Sequence, residues 1–199
     1  MNKWMRWLTA SSATALLAAC GGGDNDSVSP PANANLAQVA QAEGNLTKMV
    51  QAADMAGMMP SMQGQEALTF LAPSDDAMAE MAEEMGDLMQ PTNRERLADF
   101  MKAHMVPSKM LADQMSAAAT SGSGTVTNLL GETLSLGMDG GTLTINGAKA
   151  QKTNVSASNG VIHIFSAPIW RPSVFGIVRA IPQLDTLEAA IRAAGLQDV

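Results

Sequence analysis

The chain has 199 residues, 12 basic against 19 acidic, for a net charge of −7, with a single cysteine and no tyrosine. One cysteine excludes an intramolecular disulfide. The acidic balance argues against a nucleic-acid partner, because phosphate contacts need clustered Lys and Arg.

Lys3 and Arg6 precede an uncharged run from Trp7 to Ala19. That run is too short to cross a bilayer comfortably, so a cleaved export signal fits better than an anchor helix. It ends Leu17-Ala18-Ala19-Cys20, which resembles a bacterial lipobox: aliphatic, small, small, Cys. A lone cysteine can also be a free thiol, but this position and these flanks predict lipidation. Residues 1–19 are therefore expected to be a lipoprotein signal peptide, and Cys20 the lipid-bearing first residue of the mature chain. Residues 20–34 hold Gly, Asp, Asn, Ser, Pro and Ala with almost nothing to bury, and read as a flexible tether. Cleavage leaves 10 basic and 19 acidic residues, a net charge of −9 that disfavours docking face-down on anionic lipid. About 165 residues follow the tether, enough for one domain with a real core.

Leu36, Val39, Ala40, Leu46, Met49, Val50 and Ala53 recur at helical spacing, with Asn45 as a cap. Residues 67–72 read as a short strand. Pro73-Ser74-Asp75-Asp76 then opens a helix, with Ser74 or Asp75 at its N-cap and carboxylates at its positive end. The same two aspartates could form an acid–base pair or a cation site; adjacent acids at a helix start are more often caps. Met78, Met81, Met85 and Met89 follow on one helical face. Thirteen of the 16 methionines lie between Met49 and Met115. Soft thioethers in an exported protein could bind Cu(I), whereas flexible apolar side chains also fill helical cores. Their spread through the helices favours core packing.

Thr92-Asn93-Arg94-Glu95 has the form of a capping box, opening a helix through Leu97, Phe100, Met101 and His104 that Pro107 stops. Ser108 is expected to cap a short turn through Leu111 and Asp113. From Thr120 the composition shifts to short strands at 126–130, 133–136, 143–145 and 148–155. Gly131-Glu132, residues 138–141 and Asn146-Gly147 are the turns, the last a strong hairpin signal. Asn159-Gly160 turns the chain again into Val161-Ile162-His163-Ile164-Phe165, a strand with little polar face and so covered on both sides. Gly160 is expected to need positive φ there. His163 and His104 read as core histidines with hydrogen-bond partners. Two histidines without a nearby cysteine or carboxylate cluster make a poor metal site, so neither a metal nor another cofactor is expected.

Three segments resemble the signatures of fasciclin-type domains, in family order. Leu68-Thr69-Phe70-Leu71-Ala72-Pro73-Ser74-Asp75-Asp76-Ala77-Met78 is similar to the first. His104-Met105-Val106-Pro107 is similar to the middle one, and Ala157-Ser158-Asn159-Gly160-Val161-Ile162-His163-Ile164 to the second signature. The resemblance covers residues 35–171. It implies an α+β fold, with helices from the first half packed against a wedge-like antiparallel β-sandwich. Phe70, Ala72, Pro73, His104, Pro107, Asn159, Gly160 and His163 are signature positions, expected to be structural.

The function it implies is an extracytoplasmic, non-catalytic adhesion or interaction module; the lipobox-like segment adds a lipid anchor on the periplasmic side or at the outer membrane. Its partner would be a protein or a component of the cell envelope or matrix. Adhesion in animal relatives has been tied to a Tyr-His pair and an Asp-Ile pair; the matching positions here read Ala103-His104 and Asn154-Val155, so no binding residue is carried over. A periplasmic Met-rich copper-handling protein is the rival reading.

Leu46, Met49, Ala53, Ala56, Gly57 and Met58 match Leu184, Leu187, Ile191, Ala194, Gly195 and Leu196 at a constant offset of 138. Residues 172–199 are therefore expected to begin a truncated second repeat; a C-terminal helix of the first domain is the plainer alternative.

Overall fold

The computed structural model describes residues 31, 33–121, 124–170 and 185–195. The signal segment, Cys20 and nearly all of the tether lie outside them, as does much of the tail. In chain order the described elements are α1 (Leu36–Ala42), α2 (Thr47–Ala56), α3 (Met59–Gln63), β1 (Leu68–Pro73), α4 (Asp75–Ala79) and α5 (Ala82–Leu88). A 3-10 turn at Pro91–Asn93 leads into α6 (Arg94–Ala103), β2 (Met105–Val106) and α7 (Ala112–Thr120). Then come β3 (Thr125–Thr127), β4 (Thr133–Asp139), β5 (Thr142–Ile145), β6 (Ala148–Ala157), β7 (Gly160–Phe165) and α8 (Asp185–Ala193).

The strands form one sheet in the order β2-β1-β7-β6-β5-β4-β3. The α+β class holds, but the expectation of a purely antiparallel sheet is corrected. β7 returns beside β1 in parallel, from Leu68↔Gly160 to Pro73↔Phe165. All twelve residues of this pair are buried, because apolar groups cover both of its faces. Phe70, Ala72, Ile162 and Ile164 point into a first core with α1–α6. Leu71 and Phe165 point into a second, closed by Leu134 and Leu136 of β4, Leu143 and Ile145 of β5, and Met115 of α7. Just past β3, Leu129 N donates to Met105 O of β2 (2.7 Å) and Asn128 Nδ2 to Ala103 O (3.1 Å). The two ends of the strand order thus meet, and the sheet nearly closes on itself.

Local signals fared unevenly. Asn146 (φ 49°) and Gly147 (φ 85°) make the expected tight turn between Ile145 and Ala148. Asn45 is not a side-chain cap; Leu46 holds that position, and the N-terminus of α2 is capped from 28 residues away. Asp75 accepts from Thr47 N (3.1 Å), Thr47 Oγ1 (2.5 Å) and Lys48 N (2.8 Å), while Ser74 caps α4 through Ala77 N (3.2 Å). The box at Thr92–Glu95 does not form: the 3-10 turn occupies its first residues, and Asn93 Nδ2 donates to Asp87 O (2.7 Å). The methionine helix is two helices, parted at Met81. α6 ends at Ala103, before Pro107 can stop it, and Ser108 caps nothing: α7 begins at Ala112 and runs to Thr120. The first predicted strand after Thr120 is shorter than expected, since residues 129–130 turn back.

Gly160 is required for a different reason from the one expected. Its φ is not positive; it starts β7, where a Cβ would land on the Leu68 carbonyl oxygen and meet Leu36 Cδ1 at 3.0 Å. Gly160→Ala should therefore force β1 and β7 apart and cost about 1–3 kcal/mol. Thermal melts should show a clearly lower midpoint, and an unchanged one would contradict this close strand approach.

Candidate functional site

The second core is roofed at one edge by residues 107–111, the segment linking β2 to α7. Pro107, Ser108, Lys109 and Leu111 are exposed and Met110 is half-buried. Irregular backbone of this kind needs its polar groups met from elsewhere. Thr69, fully buried in β1, donates from Oγ1 to Ser108 O (2.6 Å) and accepts from Met110 N (2.9 Å). His163 in β7 bonds Met110 O through Nε2 (2.9 Å). Asn154 in β6 accepts from Ala112 N through Oδ1 (2.9 Å). Two adjacent strands thus hold the loop and the next, β6, holds the first residue of α7 just past it, so that the loop presents the Lys109 ammonium and the Leu111 isobutyl group.

Asn154 sits where the β6–β7 register slips between Lys152 and Val155, with φ of 60°. Asparagine tolerates that left-handed backbone better than most residues. Its own N–H points at His163 Nδ1 (3.4 Å). The imidazole therefore donates from Nε2 to a carbonyl and accepts at Nδ1, which only the neutral ring can do. His104 is the same device with the tautomer reversed. Its Nδ1–H donates to Phe100 O (2.8 Å), and its Nε2 accepts from Ile169 N–H (3.3 Å). Burial pushes His104 down to about 4, outweighing the Phe100 carbonyl that favours the charged form. Burial lowers His163 in the same direction against the Met110 carbonyl.

The remaining signature residues lie in the first core, at the end of β1 and at the β6–β7 junction. Phe70 and Ala72 lie in the first core, and Pro73 closes β1 opposite Phe165. Asn159 Oδ1 accepts from Leu36 N at the start of α1 (2.8 Å), and its Nδ2 donates to Met62 O (2.9 Å) and Gly64 O (2.7 Å). Pro107 departs from that pattern, because it is exposed on the loop. Met78 and Met85 are buried and Met81 and Met89 half-buried, all packed in the first core. Thr69 and Asn154 were not singled out from sequence as site residues. The available signals were a hydroxyl inside an apolar strand and an asparagine interrupting strand alternation.

The chain matches the family model for the Fasciclin domain over residues 44–170. It is 30% identical over 138 residues to Protein sll1483 of Synechocystis sp., covering 69% of this chain and 73% of that protein. It is 28% identical over 166 residues to the transforming growth factor-beta-induced protein ig-h3 of Sus scrofa, covering 81% of this chain and 23% of that one. The solved structure of a FAS1 domain pair from the insect cell adhesion molecule Fasciclin I superposes with a TM-score of 0.63 at 12% identity. That match covers 70% of this chain and 51% of the insect chain, and shows a shared fold.

Both imidazoles are neutral in the fold but take up a proton readily once unfolded. Stability from this source is complete above the ordinary histidine value of 6.5 and is lost as pH falls from there to about 4, where folded His104 itself titrates. The His104 contribution alone amounts to about 3 kcal/mol. Melting midpoints should fall steadily between pH 7 and pH 4, and a flat profile over that range would contradict two neutral buried histidines.

Proposed function

The chain belongs to the fasciclin domain family, and on that premise we propose that it is a lipid-anchored, extracytoplasmic, non-catalytic interaction module. Its partner is a protein or a matrix component of the cell envelope. The insect relative's description as a cell adhesion molecule supports an adhesive role. The lipobox-like Leu17-Ala18-Ala19-Cys20 and the polar tether support attachment through Cys20, with the domain held clear of the membrane.

The contact surface in this reading is the loop of residues 107–111. The observation that carries it is the pinning of this exposed loop by buried Thr69 and His163 and by Asn154. Buried polar anchors beneath an exposed segment fix its shape before a partner arrives, which lowers the ordering cost of binding. Lys109 offers a cation on an acidic molecule, and Leu111 a 41% exposed apolar group beside it. The surface provides recognition chemistry. The nearby imidazole has both nitrogens committed to backbone, so proton transfer from it would break the loop's support.

Two measurements bear on this. Lys109→Ala with Leu111→Ala should leave the melting midpoint nearly unchanged while weakening attachment to immobilised envelope or matrix material at least roughly tenfold, a typical cost for losing an exposed anchor pair. Undiminished attachment places the contact elsewhere. Cys20→Ala should release the protein from the membrane fraction or block its processing; a variant that stays membrane-bound and normally cleaved would refute lipidation.

A further inference from the structure

His163 ties together two pieces of main chain. Its Nε2–H holds Met110 O in the 107–111 loop (2.9 Å), and its Nδ1 accepts from Asn154 N–H of β6 (3.4 Å). Asn154 Oδ1 in turn accepts from Ala112 N–H, the first residue of α7 (2.9 Å). One ring therefore acts on this segment twice: directly at Met110, and through Asn154 where the loop becomes α7. The second route is the weaker. Between Lys152↔Ile164 and Val155↔Ile162 no β7 residue pairs with Asn154, so the ladder does not hold it. Its φ of 60° is a backbone state that costs energy outside glycine, and its bond to the ring is long.

A proton added to this ring goes to Nδ1, the nitrogen that carries none in the neutral form. Two N–H groups, on Nδ1 and on Asn154, then face each other with no acceptor between them. The Met110 bond survives, because Nε2–H still points at the carbonyl, and Thr69 still holds Ser108 O and Met110 N. The strain falls on Asn154, and through its amide on Ala112.

We propose that His163 is an acid-operated latch on the 107–111 surface: its protonation displaces Asn154, frees the start of α7 and so loosens the loop beside Leu111, before the fold as a whole melts. The effect on binding rests on the reading of that loop as the contact surface; the latch itself rests on the geometry alone. Few charges oppose or assist it. β1 and α1 carry no titratable side chain. Of the two lysines on β6, Lys149 is paired with Asp139 (2.7 Å) and Lys152 with Glu43 (2.6 Å). Lys109 on the loop and Asp113 on α7 are both exposed, opposite in sign and screened by solvent. His104 lies beyond Leu71 across the sheet, its ring committed to Phe100 and Ile169. Burial holds the closed ring below the ordinary 6.5, against the pull of the Met110 carbonyl. An opened ring regains that ordinary value. The latch is therefore shut at neutral pH, and each pH unit below 6.5 favours the open form by about tenfold until the closed ring itself titrates.

An amide NMR titration from neutral pH down towards pH 4.5 tests this. Asn154 and Ala112 amides should shift together with the His163 ring, with one shared midpoint below 6.5. Exchange of the Ala112 amide, corrected for its intrinsic pH dependence, should quicken at least about tenfold over that range, while Phe70 and Ile162 stay protected. Ile169 N–H, bonded to His104, should respond only near pH 4 and so serves as the internal reference. His163→Gln should abolish the shared transition. Asn154→Gly, which accepts a φ of 60° without strain, is an independent check: Ala112 should then exchange freely at every pH. Titration of His163 with Asn154 and Ala112 unmoved would overturn the latch, as would a single transition in which all amides change at once. Attachment to immobilised envelope or matrix material should weaken over the same pH range. An amide transition with attachment indifferent to pH upholds the latch and refutes the loop as the contact surface, whereas pH-dependent attachment without the amide transition overturns the latch.

Discussion

The contact on which the rest of the molecule depends is the close parallel approach of β1 and β7 at Gly160. Parallel strands need both faces covered, because each faces apolar matter on either side and has no wet surface to spare. One pair therefore organises two cores. Phe70 and Ile162 commit one face to the helices, while Leu71 and Phe165 commit the other to the hairpins and α7. The missing Cβ at Gly160 lets the Leu68 carbonyl and Leu36 come in close. Asn159, one residue earlier, then binds the start of α1 and the end of α3 through both ends of its amide. Helical half and strand half are joined at this two-residue junction.

Polar anchors extend that logic across the sheet. Thr69, His104, Asn128, Asn159 and His163 are buried, and each bonds main-chain atoms of a loop or a helix end, Asn128 also meeting the Glu132 carboxylate (3.5 Å). Among the described residues no buried side-chain nitrogen or oxygen lacks a partner. Such groups add little net stability when satisfied but are expensive to orphan, so they act mainly by forbidding alternative packings. Two neutral histidines suit this role because each ring offers one donor and one acceptor in fixed directions.

Much of this was legible in the residue string, though sometimes for the wrong reason. The Asn146-Gly147 hairpin and the doubly buried β7 follow from local pattern, since turn chemistry and strand burial act over a few residues. The need for Gly160 is legible, but its constraint is a neighbour 92 residues away in sequence, Leu68, and not its own φ. Asp75 reads as a cap, yet it serves the helix at Thr47. Thr92 and Glu95 fit a capping box by spacing, but Pro91, with its fixed φ, starts a 3-10 turn first. The apolar runs at 68–73 and 160–165 fit strands buried on both faces, as parallel strands are, but do not record which strand pairs with which, because that is set by where the chain returns after some ninety residues. The anchoring roles of Thr69 and Asn154 are hidden for the same reason: a loop anchor is defined by what it reaches, which local sequence does not record.

The two cores also differ in material, and the difference bears on where a contact surface can sit. The first is rich in methionine: Met49, Met62, Met78, Met85, Met101 and Met105 are all buried in it. Unbranched thioethers fill irregular gaps between short helices, but they specify position weakly. The second core is built from Leu71, Leu134, Leu136, Leu143, Ile145, Phe165 and Ile169, with Met115 the one buried methionine among the described residues. Branched and aromatic groups have few rotamers and hold a sheet face in one arrangement. The 107–111 loop is tied to that stiffer side through β1 and β7, and the start of α7 beside it through β6. A recognition surface gains from rigid support because a displacement of about 1 Å is enough to spoil complementarity. The adaptable packing is thus kept in the helical half, and the anchored loop rests where the fold is least able to shift beneath it.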